Sequence, residues 1–85
     1  MQDKKEIILN VLAEVVKDLR GKRSQFMFAS ENDISTSIIS MIERGLKDPQ
    51  LTTLMKLAEA FDMKFSDFAK LIEEKLPDNF SLIEK

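Results

Sequence analysis

Few side chains in this sequence could carry out covalent or acid–base chemistry. The chain has no Cys, His, Trp or Tyr, which excludes thiol nucleophiles, imidazole bases, Cys/His zinc sites and disulfides. Asp, Glu and Lys remain as groups for proton transfer, but no Gly-rich loop or cluster of metal ligands singles out a pair of them. We therefore predict a non-enzymatic protein with no catalytic residue, no metal site and no cofactor.

The other chemistry open to the chain is recognition through charge and hydroxyl groups. The net charge is −2, which argues against a general polyanion binder. Residues 17–47 nevertheless carry six Lys and Arg against four Asp and Glu. A short basic cluster is commonly part of the solvated surface. The alternative interpretation is that these basic residues contact phosphates, although the rest of the protein is acidic. The basic residues of this stretch are Lys17, Arg20, Lys22, Arg23, Arg44 and Lys47.

The spacing of apolar residues predicts an all-α chain of five helices that would position these groups. The chain has 85 residues, of which 44% are hydrophobic and 33% charged, as expected for one small globular domain. Serine caps and glycine or proline stops place helices over about 3–20, 24–31, 35–44 and 51–61. Ser66 is expected to cap a fifth helix, with Phe65 as a candidate hydrophobic staple before the cap, and Pro77 marks either the end of this helix or a kink.

The sequence contains no candidate membrane segment. Its longest uncharged run is the nine residues from Ile34 to Ile42, whereas a bilayer-spanning helix needs about 20 mostly apolar residues. The apolar stretch after Lys5 is interrupted by Asn10 and Glu14 and keeps helical spacing, so we interpret it as mature helix rather than a targeting segment. We expect a cytoplasmic protein with no membrane partner.

The second and third predicted helices have the spacing of a helix-turn-helix. Asn32-Asp33 supplies the turn, and Ala29 is small enough to let the two helices approach closely. The residues expected to be buried are Phe28, Ile34, Ile39 and Ile42, and those expected to face outward are Thr36, Ser37, Ser40 and Met41. Pairs of short helices are common in small α domains, so the spacing alone leaves DNA reading and plain packing both open.

The stretch 24–45, SQFMFASENDISTSIISMIERG, resembles the phage-repressor (Cro-like, Xre) helix-turn-helix family. The resemblance covers about residues 12–72 and includes the following loop and helix, KDPQLTTLMKLAEAF, and the segment FSDF. It implies a five-helix lambda-repressor-like DNA-binding domain with an extended first helix and a short C-terminal tail.

The resemblance also implies roles for individual residues. Base edges in the major groove would be contacted by Thr36, Ser37, Ser40 and Met41. Backbone phosphates would be contacted by Ser24, Gln25, Arg44 and Lys47, and also by Arg23, which stands where the family has an apolar residue. Arg20 and Glu43 occupy positions that form a structural ion pair between the first and third helices.

The expected base-reading face lacks Arg, Lys, Gln and Asn, the side chains that make bidentate contacts to bases. Serine and threonine hydroxyls donate to or accept from several bases, and the Met41 side chain and Thr36 methyl group fit against a thymine methyl. Specificity would then depend on DNA shape, ordered water and dimer spacing. The alternative for Met41 and Ile38 is plain packing or contact with a partner protein.

Two functions follow from these patterns. The first is a sequence-specific transcriptional regulator, a dimeric repressor that binds double-stranded DNA through helix 35–44. The second is an antitoxin-like or regulatory interaction subunit with weak DNA reading and a protein partner such as a toxin. It is favoured by the acidic pI, by the apolar tail and by the apolar residues Phe26, Met27, Ile38 and Met41.

The predicted domain organisation is a helix-turn-helix domain over 1–76, with the motif at 24–44, and a tail over 77–85. The two ends of the chain carry surplus apolar residues, which either form a homodimer interface or pack together within one monomer. They are Ile7, Ile8, Leu9, Leu76, Phe80, Leu82 and Ile83.

Overall fold

The computed structural model describes residues 3–83 as five α-helices, with no strand among those residues. The helices are α1 (Lys4–Arg20), α2 (Gln25–Glu31), α3 (Thr36–Glu43), α4 (Leu51–Ala60) and α5 (Phe65–Lys75). Helix α1 packs against α3 and α5, α2 packs against α3, and α4 packs against α5. The predicted all-α, five-helix architecture is confirmed. No helix in this part of the chain combines the length and apolar character that crossing a membrane requires.

Side-chain caps fix the start of the first three helices. The Asp3 carboxylate accepts from the Lys5 N–H, the Ser24 hydroxyl accepts from the Met27 N–H, and the Ser35 hydroxyl accepts from the Ile38 N–H. Each cap satisfies one of the N–H groups that have no partner within the helix. The predicted Ser24 and Ser35 caps are therefore confirmed, and they set the starts of α2 and α3.

Helices α2, α3 and α4 end in the same hydrogen-bonded turn, in which one residue has a positive φ. Gly45 (φ 71°) follows α3, and the Leu46 N–H donates to the Met41 carbonyl at 2.9 Å. Asp33 (φ 55°) follows α2 and Asp62 (φ 57°) follows α4, each in the position where glycine is commonest. Aspartate tolerates this conformation better than most residues with a side chain, so the predicted Asn32-Asp33 turn forms without glycine.

The predicted cap of α5 is wrong by two residues. The helix begins at Phe65 with Lys64 in the cap position, and no side chain caps it. Phe65 therefore lies inside the helix, where it is 37% exposed, and it is not a staple before a Ser66 cap. The turn at Asp62 and the complete burial of Phe68 fix the path of the chain here, so tertiary packing outweighs the local preference for a serine cap.

All five helices contribute side chains to the core. Phe28, Ile39, Ile42, Leu57 and Phe68 have no exposed surface, and burial of each such side chain contributes about 1.5–3 kcal/mol. The four residues predicted to be buried in the helix pair, Phe28, Ile34, Ile39 and Ile42, are all buried. Leu51, which belongs to the apolar pattern of the predicted fourth helix, is 62% exposed because it lies in the first turn of α4, at the edge of the core.

The segment after α5 turns back towards α1. Leu76 ends the helix, and the Phe80 N–H then donates to the Pro77 carbonyl at 3.1 Å. The Lys4 ammonium donates to the Ile83 carbonyl at 3.2 Å, which ties this segment to the start of α1. The outer ends of the predicted ranges 1–76 and 77–85 lie outside the described residues.

Candidate nucleic-acid interface

Helix α3 presents one buried face and one open face. Ile39 and Ile42 anchor it in the core with no exposed surface. On the opposite face Ser37 and Met41 are exposed, while Thr36 and Ser40 are half-buried. The Ser37 and Ser35 hydroxyls lie 3.3 Å apart, so they share a hydrogen bond at the start of the helix. The four residues predicted to read bases thus all retain contact with solvent.

A buried ionic network joins α3 to α1 and α2. The Arg20 Nε donates to the Glu43 Oε2 at 2.6 Å, and the Arg20 Nη2 donates to the Glu43 Oε1 at 2.7 Å. Two parallel bonds of this kind are the strongest pairing between arginine and a carboxylate. The Gln25 Nε2 adds a third donor to the Glu43 Oε1 at 2.9 Å, so one carboxylate fixes the relative positions of three helices.

The network keeps Glu43 ionised although its side chain is only 3% exposed. Burial alone would raise the pKa of Glu43. Hydrogen bonds from Arg20 and Gln25, together with the positive charges of Arg20 and Lys17, outweigh that effect and hold the pKa below its ordinary value. The Glu43 hydrogen bond raises the pKa of Arg20 against a smaller opposing effect of burial. Both groups therefore stay charged at neutral pH.

The residues before and at the start of α2 are engaged with the protein itself. The Arg23 guanidinium carbon lies 5.0 Å from the centroid of the Phe28 ring, a cation–π arrangement. The Arg23 carbonyl accepts a hydrogen bond from Arg20. Ser24 serves as the α2 cap, and Gln25 donates to Glu43. Arg23 and Ser24 nevertheless remain exposed and Gln25 half-exposed, so each keeps polar surface next to the helix pair.

Arg44 and Lys47 lie at the other end of the helix pair. Arg44 occupies the C-cap position of α3 and is exposed, whereas Lys47 follows the Gly45 turn and is half-buried. Basic side chains thus precede α2 and follow α3, so they flank the helix pair in the sequence. The carboxylate of Glu43 at the end of α3 is neutralised by Arg20 and does not oppose them.

Sequence reasoning missed three contacts of the helix pair. The Gln25 amide faces Glu43, the Asn32 Nδ2 donates to the Phe28 carbonyl at 2.8 Å, and the Lys56 ammonium lies 3.3 Å from an Asp33 carboxylate oxygen. The polar side chain of Asn32 at the predicted turn was a signal for the second contact. The others join residues 18 and 23 positions apart, and nothing in the sequence pairs them.

Two large apolar side chains stand open to solvent at the start of α2. Phe26 is 66% exposed and Met27 is 50% exposed. They lie in the first turn of the helix, directly after the residues predicted to contact phosphate. Within residues 3–83 no group of three or more Asp or Glu side chains is arranged to hold a metal ion.

Comparison with known proteins relates the chain to DNA-binding regulators. The family model HTH_3, described as helix-turn-helix, matches residues 16–68. The fold is similar to the crystal structure of an HTH_3 family transcriptional regulator from Vibrio cholerae, with a TM-score of 0.69 and 27% sequence identity. That alignment covers 89% of this chain and 47% of the other, so the chain spans about half the length of that regulator. No curated protein matches the sequence.

Proposed function

Because this chain belongs to the HTH_3 helix-turn-helix family, we propose that it is a sequence-specific, non-catalytic DNA-binding transcriptional regulator. The observation that carries the proposal is the open face of α3. Its hydroxyl-bearing residues point away from a core that buries Ile39 and Ile42 completely. An α-helix held in this way fits the major groove, where base pairs present distinct patterns of donors and acceptors.

In the proposed complex, bases are contacted by Thr36, Ser37, Ser40 and Met41. The serine and threonine hydroxyls both donate and accept, and the exposed Met41 side chain offers an apolar surface to a thymine methyl group. These contacts are individually weaker than bidentate ones. We therefore propose that the DNA site is recognised partly through its shape and deformability.

Phosphate contacts are assigned to the residues on both sides of this face, Arg23, Ser24, Gln25, Arg44 and Lys47. The Gln25 amide uses one N–H on Glu43, and its second N–H remains for a phosphate oxygen. Arg44 and Lys47 supply charge at the end of α3. The Arg20–Glu43 pair takes no direct part in binding and holds α3 in position.

We further propose that the regulator acts as a dimeric repressor. A domain of this size reads only a few base pairs, and a two-fold dimer gains affinity by binding two half-sites about 34 Å apart. The 1–76 domain would carry the DNA contacts, and the apolar ends of the chain would contribute to the dimer. Sedimentation with and without DNA measures this directly, and a monomer that binds one half-site with full affinity would contradict it.

The direct test is a fluorescence-anisotropy titration against DNA from the promoter region of the protein's own gene. Ser37→Asp places a carboxylate on the open face and is expected to weaken binding at least about tenfold, which corresponds to 1.4 kcal/mol. The control is Ser66→Asp, because Ser66 is also exposed and also the second residue of its helix. An aspartate in the first turn of a helix is favoured by the helix dipole, so neither substitution should destabilise the fold. Equal affinities of the two variants would refute the assignment of α3.

The salt dependence of binding tests the phosphate contacts separately. The slope of log K against log salt should fall in magnitude by about 0.9 for each contact removed. We expect that change for Arg44→Gln and for Lys47→Gln. Lys64→Gln, at an exposed lysine before α5, should leave the slope unchanged. A wild-type complex insensitive to salt would exclude the proposed phosphate roles.

The exposure of Phe26 and Met27 favours a second candidate function, an antitoxin-like or regulatory interaction subunit. Exposed aromatic and methionine side chains are enriched at protein interfaces. Purification from the native host distinguishes the two functions. A stoichiometric protein partner that is lost in Phe26→Asp, together with negligible DNA affinity, would support this alternative, whereas recovery of DNA alone would exclude it.

A further inference from the structure

Met41 and Leu46 form an exposed apolar patch at the C-terminal end of the open face of α3. Met41 is 38% exposed, and Leu46, which lies in the turn after the helix, is 59% exposed. Ser37 precedes Met41 by four residues, so the two are neighbours on one face of the helix. The patch is therefore continuous with the hydroxyl-bearing part of the face, yet Leu46 has no role in the contacts assigned so far.

The turn after α3 holds Leu46 next to Met41. The Leu46 N–H donates to the Met41 carbonyl at 2.9 Å, and the Gly45 N–H donates to the Ile42 carbonyl at 3.0 Å. These two bonds, with Gly45 at a φ of 71°, are those of the common glycine-ended helix terminus. In that terminus the apolar residue after the glycine often packs against the residue whose carbonyl it binds. The backbone therefore presents the two side chains together.

Basic side chains flank the patch along the chain. Arg44 precedes the glycine of the turn, and Lys47 directly follows the patch. Of the neighbouring carboxylates, Glu43 is buried and paired with Arg20, and Asp48 forms a solvated ion pair with α1. An apolar patch between two cations suits the major groove, where the apolar groups of the bases lie between two phosphate backbones.

We propose that Met41 and Leu46 together bind the C5 methyl group of a thymine, an inference that rests on the DNA-binding function proposed above. Among the groups that base pairs display in the major groove, this methyl group is the apolar one, and it gains from contact with apolar side chains. Leu46 is then a specificity-determining residue outside α3. It covers the contact between Met41 and the methyl group and excludes water from it.

The test compares two versions of the promoter DNA of the protein's own gene, one with thymidine and one with deoxyuridine, which lacks only the C5 methyl group. Anisotropy titrations of the full chain should show binding to the deoxyuridine DNA that is about fourfold weaker for each thymine in contact with the patch. That factor is the equivalent of about 0.8 kcal/mol, the contribution of one buried methyl-sized group. Single replacements of thymidine by deoxyuridine then locate the contacted thymine.

Two variants show whether Leu46 makes the contact. Leu46→Ala should bind the thymidine DNA less tightly and the deoxyuridine DNA as before, which lowers the preference to about twofold because Met41 alone then covers the methyl group. Leu51→Ala is the matched control, because Leu51 is a leucine of similar exposure (62%) in α4 with no assigned DNA contact. It should keep the preference of the wild type.

Three outcomes would overturn the proposal. Equal affinity of the wild type for the two DNAs would leave the regulatory function intact and assign the patch to a protein partner instead. A preference for thymidine that is unchanged in Leu46→Ala, or reduced equally in Leu51→Ala, would place the methyl contact elsewhere. Saturable binding to neither DNA would overturn the proposed function and this proposal with it, so the two failures are distinguishable.

Discussion

Removal of one partner from the Arg20–Glu43 pair should destabilise the fold far more than removal of both. The Glu43 side chain is 3% exposed and the Arg20 side chain 17% exposed. Breaking a buried pair costs about 3–5 kcal/mol, because an uncompensated charge stays buried. Arg20→Met leaves the more deeply buried carboxylate with the neutral Gln25 donor alone, so we expect a loss of about 4 kcal/mol.

Removal of the other partner, in Glu43→Met, should reduce the free energy of unfolding by less. Glu43→Met leaves a guanidinium that still donates to the Arg23 carbonyl and reaches water through its exposed edge. We therefore expect a loss of about 2–3 kcal/mol, near the lower end of the range for buried pairs. The double variant replaces both charges by apolar side chains and should lose about 1 kcal/mol or less, which gives a coupling energy of about 5 kcal/mol or more.

Urea unfolding monitored by helical circular dichroism measures these differences. A domain of this length has a total stability of about 4–13 kcal/mol, so Arg20→Met needs measurement in the cold with a stabilising osmolyte. Lys75→Met is the control, because the ion pair of Lys75 with Glu14 has side chains 38% and 60% exposed and should cost less than about 1 kcal/mol. The argument would be refuted if each single variant lost less than about 1 kcal/mol of stability and the loss of the double variant equalled the sum of the two.

Three further predictions concern stability. The pKa of Glu43 lies below its ordinary value of 4.5, so the stabilisation it provides is complete above about that pH and is lost as the pH falls through the lowered pKa. Acid titrations should therefore show Glu43→Gln losing less stability than wild type below pH of about 4.5. Asp62→Gly relieves a positive φ and removes a negative charge at the end of α4; it should raise stability by about 0.5–1 kcal/mol in urea unfolding, and a loss would contradict the φ argument. Phe68→Ala should cost about 3–5 kcal/mol, since Phe68 is fully buried. The partly exposed Phe65 of the same helix should lose far less on replacement by alanine, and equal losses in thermal melts would contradict the packing.

The parts of the fold that depend on neighbours in sequence were predictable. The Ser24 and Ser35 caps act within three residues, and the burial of Ile39 and Ile42 follows from helical periodicity. The start of α5 was not predictable from Ser66, because the depth of Phe68 in the core decides it. Capping preferences within a few residues fail to place a helix start where packing against a distant part of the chain contributes more to stability.

The candidate site shows the same division between local and distant information. Periodicity places Ser37 and Met41 on the outward face of α3, and the structure leaves both exposed. The Gln25 amide, by contrast, faces a carboxylate 18 residues away, and its orientation depends on how α2 crosses α3. An apolar cavity is lined by residues of α1, α4, α5, the loop after α3 and the C-terminal segment, and no sequence pattern identifies such an assembly.

The network around Glu43 bears directly on how a face without bidentate groups could discriminate between DNA sequences. Hydroxyl and thioether contacts yield little energy each, so in the proposed function their positions relative to the phosphates must be well defined. Glu43 binds α1 through Arg20 and α2 through Gln25, and Gln25 is itself assigned to a phosphate. The same carboxylate would then fix both the base-reading helix and one of its backbone contacts. Variants of Glu43 that still fold should therefore lose discrimination between related sites by more than they lose affinity for DNA in general.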